Sequence, residues 1–92
     1  MKRVVLFRRK PDADVDAFIS AIAGLEVLDQ SMTEMDTWWV SSNVGVPGMW
    51  DAALVADFAD ADAVHRYENH PDHVAAATVV GGVAEFAVFD SL

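Results

Sequence analysis

Trp50-Asp51-Ala52-Ala53-Leu54-Val55-Ala56-Asp57-Phe58 is the stretch whose pattern decides the fold. Successive side chains of a strand point to opposite faces, so one face reads Trp50, Ala52, Leu54, Ala56, Phe58 and the other Asp51, Ala53, Val55, Asp57. The middle is apolar on both sides, as in a strand that water reaches from neither face. Val4-Val5-Leu6-Phe7, flanked by Lys2 and Arg3 and by Arg8 to Lys10, has the same two-sided character. So does the stretch from about Glu85 to Asp90, with Phe86 and Val88 on one face and Ala87 and Phe89 on the other. Before the quoted stretch, Met32 to Asn43 carries Thr33, Thr37, Trp38, Trp39 and Val40 and predicts one more strand. Val44-Gly45-Val46-Pro47-Gly48 supplies the turn between the two.

Helices fill the intervals. Pro11 and Asp12 open the first, with Asp12 or Asp14 as N-cap, Val15, Phe18, Ile19 and Ile22 at helical spacing, and Gly24 as its end. Asp60 caps a second that carries Ala61, Val64 and Tyr67 and stops at His70, because the ring of Pro71 disfavours the α region for the residue before it. Pro71 also fits the first turn of a new helix, along which His73, Val74, Ala77 and Val80 follow, and Gly81-Gly82 reads as its glycine C-cap. The order strand, helix, strand, strand, helix, strand predicts an α+β, ferredoxin-like βαββαβ fold with an antiparallel four-stranded sheet, one domain over residues 1–92. Helices cover one face of such a sheet, so the other apolar face needs a cover, and a second copy of the chain is the simplest.

Composition bounds the function. The chain has 92 residues, 53% of them hydrophobic, enough for one core. No apolar run approaches the roughly 18 residues of a membrane-spanning helix. Fifteen acidic against six basic residues give a net charge of −9, which repels phosphate backbones and argues against nucleic acid. There is no cysteine, hence neither disulfide nor thiol chemistry, and the apolar run from Val4 to Phe7 is too short for a signal peptide, so a cytoplasmic location is expected.

Chemistry concentrates in Tyr67-Glu68-Asn69-His70-Pro71-Asp72-His73-Val74, which gathers a phenol and two imidazoles beside a helix break. His73 reads either as a packed helix histidine or as a general base, and Tyr67 either as a core ring with its hydroxyl at the rim or as the group that holds an enolate oxygen. His70, before Pro71, is placed to cap the helix junction. His65, His70 and His73 with Glu68 and Asp72 show no zinc spacing, and no metal or cofactor is expected. Arg3 shares the face of Val5 and Phe7. It is either a solvated charge at the strand's start or, if that face lines a cavity, a guanidinium suited to a carboxylate or phosphate. With Trp50, these three are the candidate substrate-binding wall for a small apolar or aromatic molecule. Adjacent Trp38 and Trp39 must face opposite ways.

Val4-Val5-Leu6-Phe7 with basic residues after it, Trp50-Asp51-Ala52-Ala53-Leu54-Val55 leading to Asp57-Phe58, and Tyr67-x-x-His70-Pro71-x-His73-Val74 together resemble the stress-responsive A/B barrel domain (Dabb) family over nearly the whole chain. That resemblance implies a dimeric α+β barrel, a homodimer whose sheets pack face to face, with a cavity between sheet and helices in each subunit. It extends to olivetolic acid cyclase-like proteins, whose acid/base Tyr and His fall on Tyr67 and His73. Their first-strand pocket histidine falls on Arg3, a departure from the pattern. A cofactor-free cyclase, lyase or isomerase activity is therefore one expectation and a non-enzymatic stability or assembly module another. A third is a small cofactor-free or haem-dependent monooxygenase, but the first strand has no asparagine to match the haem-degrading pattern.

Overall fold

Strand β1 (Lys2–Arg9) occupies the interior of an antiparallel sheet, paired with β3 (Ala52–Asp57) on one side and β4 (Ala84–Ser91) on the other. Strand β2 (Thr37–Ser42) pairs with β3 at the outer edge, giving the order β2-β3-β1-β4. The computed structural model describes residues 1–45 and 47–92. The expected turn from Val44 to Gly48 includes Val46, which lies outside the described residues. Strands β2 and β3 are shorter than the stretches Met32 to Asn43 and Trp50 to Phe58, while β4 reaches past Glu85 to Asp90 at both ends.

Three helices lie on one face: α1 (Val15–Glu26), α2 (Ala61–Asn69) and α3 (Pro71–Val83), with a 3-10 turn at Leu28–Gln30. Asp14 caps α1 by accepting the Ala17 N–H at 3.0 Å, and Asp60 caps α2 by accepting that of Ala63 at 2.8 Å. His70 ends α2 and begins α3, its Nδ1 accepting the Asp72 N–H at 3.0 Å, so the junction is built on this imidazole as expected.

Two expected helix ends move. Helix α1 continues through Gly24 to Glu26, and α3 continues through Gly81 and Gly82 to Val83. A glycine ends a helix by adopting the left-handed conformation, and no described residue has a positive φ. The buried stripe of α1 is Phe18, Ala21, Ile22 and Leu25, while Val15 and Ile19 are exposed to either side of it.

The core lies between the helices and one sheet face, where Val5, Phe7, Ala52, Leu54 and Ala56 meet Phe18, Ile22, Leu25, Val64, Tyr67 and Val80. Trp38 faces this core and donates its indole N–H to the Leu25 carbonyl at 3.0 Å, tying β2 to α1. Trp39 points the other way and is exposed. On that second face the register aligns Val4 with Val55 and Phe89, and Leu6 with Ala53 and Ala87. No element of the described chain crosses this apolar row. The two-sided pattern read from the three strands is thus present in the sheet.

Candidate functional site

The helix break at Pro71 turns Tyr67, the last buried residue of α2, toward His73 in the first turn of α3. Their ring centroids are 4.2 Å apart. Both line a cavity of about 190 Å³ between the helices and the core face of the sheet. Val5 and Phe7 of β1, Leu54 of β3, Leu25 of α1 and Ala77 and Val80 of α3 give it apolar walls. Phe86 and Val88 of β4 line it too, yet are 58% and 50% exposed, so the cavity opens over the β4 edge. Arg3 and Glu68 form its polar end with Tyr67 and His73.

Tyr67 is only 3% exposed, with its ring stacked at a tilt on Phe58 and Trp38 as well as His73. Burial pushes its phenol up to about 12, outweighing the opposing pull of Arg3, so the hydroxyl is a hydrogen-bond donor throughout the neutral range. No protein group among the described residues accepts that hydrogen bond, and the oxygen is not sealed off from the cavity. His73 Nδ1 lies 3.1 Å from the Glu68 backbone oxygen. A carbonyl oxygen only accepts, so in the neutral ring Nδ1 carries the proton and Nε2 the free lone pair. The backbone at the end of α2 thereby sets both the tilt of the imidazole and the nitrogen that can act as a base.

Arg3, 13% exposed at its side chain, is held from two sides. Asp90 of β4 takes its Nε and Nη2 at 2.8 and 3.0 Å, and Glu68 of α2 its Nη1 at 3.4 Å. The hydrogen bond to Asp90 holds the guanidinium above its ordinary value, and the same bond holds the Asp90 carboxyl below the usual carboxylate range. Of the four residues expected on the substrate wall, Arg3, Val5 and Phe7 are at the cavity. Trp50 is not. The chain bends at Asp51, whose carboxylate accepts the Arg9 N–H at 2.8 Å, so strand alternation begins only at Ala52. Trp50 is carried to the second face, under the Arg8 guanidinium at 5.4 Å, beside Leu6 and Trp39.

Reading the sequence missed Glu68 and Asp90. The signal was available for Asp90, since the antiparallel register that sets Phe7 against Phe86 sets Arg3 against Asp90.

The sequence matches the family described as stress responsive A/B barrel domain, Dabb, over residues 1–91. This chain is a member of the Dabb family. No curated protein matches it in sequence. Among solved structures, it is similar to a dimeric protein of unknown function and ferredoxin-like fold from Bacteroides fragilis, with 26% identity and a TM-score of 0.84 over 98% of this chain and 92% of that one. A dimeric ferredoxin-like protein of unknown function from Thermobifida fusca gives 26% identity and 0.79 over 98% and 89%. The hydroxynitrile lyase from Passiflora edulis shares the fold, with 14% identity and a TM-score of 0.70 over 99% and 94%. The Dabb chain is therefore an α+β, ferredoxin-like domain whose solved neighbours include dimers, and some of its distant neighbours are enzymes.

Proposed function

We propose that this Dabb protein is a homodimer joined through the second sheet face, and that each subunit binds a small organic molecule beside Tyr67 and His73 and catalyses a cofactor-free acid–base reaction of the cyclase, lyase or isomerase type. The observation that carries the reading is the pairing of a buried, protonated phenol with an imidazole whose Nε2 is free, their rings 4.2 Å apart on one apolar cavity. His73 Nε2 takes a proton from a carbon next to a carbonyl. Tyr67 donates a hydrogen bond to the oxygen on which negative charge develops. In an isomerisation the proton then returns from His73 to carbon. In a cyclisation the enolate carbon attacks a second carbonyl of the same molecule, whose π bond breaks, and the proton goes to the alkoxide oxygen so formed. Both groups work without a metal or an organic cofactor. The hydroxynitrile lyase among the fold neighbours supports the reading to the extent that this fold carries an enzyme there.

The test is His73→Ala and Tyr67→Phe. Each is expected to keep the fold and the dimer, by circular dichroism and sedimentation, while lowering turnover about 100-fold or more. Unchanged turnover in either variant defeats the assignment of that residue.

A second reading is favoured by the apolar second face, with Trp39 and Phe89 both more than half exposed in the single subunit. In that reading the dimer serves assembly or stability and the cavity is incidental. Turnover of no substrate, with the dimer intact, supports it.

A further inference from the structure

The polar end of the cavity determines which ligands it admits. Arg3 is its cation, yet three of the five guanidinium N–H groups are already taken, two by Asp90 and one by Glu68. One positive and two negative groups leave this cluster with a net charge of −1, inside a chain whose own net charge is −9. A carboxylate or phosphate entering here meets two carboxylates already holding the cation, and displacing either leaves a like charge beside the newcomer. An uncharged oxygen meets no such opposition. It accepts from the unpartnered Tyr67 hydroxyl, and it needs no counter-charge. The remainder of the wall is hydrocarbon.

Size narrows the class further. A closed apolar cavity of about 150 Å³ holds one benzene ring, and this one, at about 190 Å³ and open over β4, has room for a ring with a short substituent. Resting on the proposed function, we infer that the ligand is an uncharged ketone, aldehyde or phenol that places one ring in the cavity with one oxygen on Tyr67, and that Arg3, Glu68 and Asp90 act as a specificity device that rejects carboxylates and phosphates. This reverses one of the two readings of Arg3 made from the sequence, that of a guanidinium suited to a carboxylate or phosphate.

Acetophenone, benzamide and benzoate share one ring and nearly one outline and differ in charge, so their dissociation constants for the whole chain at pH 7, measured by NMR titration, isolate the effect. The two neutral probes are expected to bind more tightly than benzoate by about tenfold or more. In Glu68→Gln/Asp90→Asn, where Arg3 is released from both carboxylates, benzoate should gain about tenfold or more while acetophenone changes little. Both side chains being partly exposed, the fold is expected to survive. Should the double variant not fold, the wild-type ranking and Glu68→Gln alone decide. Benzoate binding as tightly as acetophenone to the wild type, or no saturable binding of either neutral probe, overturns the inference. Exchange of the acetophenone methyl protons for deuterium, followed in the same samples, reports separately on acid–base chemistry. Neutral-probe binding without exchange that depends on His73 keeps the specificity device and defeats the catalytic reading, whereas exchange with benzoate preferred does the reverse.

Discussion

Tyr67 is the single tyrosine of the chain, so its ionisation can be followed without interference from another phenol. Its folded value of about 12 lies above the ordinary 10 because burial disfavours the phenolate. The folded protein therefore holds this proton more tightly than the unfolded chain does between those values. The stability contributed by the buried neutral phenol is fully present below pH 10 and is lost as pH rises through about 12. The loss is on the order of 2 kcal/mol. Denaturant melts from pH 9 to 12 are expected to show this extra loss in the wild type and not in Tyr67→Phe, with phenolate absorbance rising over the same interval. At this scale the phenol and imidazole were legible because they sit six residues apart in one motif around a proline. The partners of Arg3 were harder to read: Asp90, 87 positions away, follows only once the β1–β4 register is fixed, and Glu68, 65 positions away, only once α2 is laid on the sheet.

The elements were legible where a side chain announces an end, as Asp14, Asp60 and Pro71 do. They were misread where an end was assigned to glycine, because packing on both sides of Gly24, by Ile22 and Leu25, continues the helix past it. The same holds in α3, where Val80 and Ala84 are buried on either side of the glycine pair. Gly82 is exposed and helical, and a Cβ built there meets nothing within 4 Å. Gly82→Ala should therefore raise stability by about 0.5–1 kcal/mol, read as a shift of the denaturation midpoint at constant slope. Trp50 was misplaced for a different reason: regular alternation begins only at Ala52, and the bend at Asp51, whose N–H still donates to the Phe7 carbonyl at 2.7 Å, sends the side chain before it to the other face.

At the scale of the molecule, the sheet has one face sealed by helices and one without cover in the single subunit. Neighbours on β3 report on the two separately. Leu54, 2% exposed, faces the helices, whereas Val55 is half-buried on the opposite face. Leu54→Asp puts an unpaired charge into the core and should unfold the chain, since such burial costs several kcal/mol. Val55→Asp should leave far-ultraviolet dichroism intact and shift sedimentation from two chains to one, because the loss falls on the surface through which the dimer is proposed to form. The fold class was legible from the order of strands and helices, and the uncovered second face from the two-sided pattern. The cavity was expected only from the family resemblance, because its volume depends on how far the helices stand off from the sheet, which no strand or helix period encodes. The sheet's order has a consequence for the life of the nascent chain. Strand β1 precedes both of its neighbours in the sheet, β3 and β4, and Lys2 is aligned with Ser91. Its second ladder thus waits until β4 has been made. Until β4 is made, a strand whose middle, Val4 to Phe7, is apolar on both faces has one edge without a partner, and an open apolar edge is where strands of different chains pair.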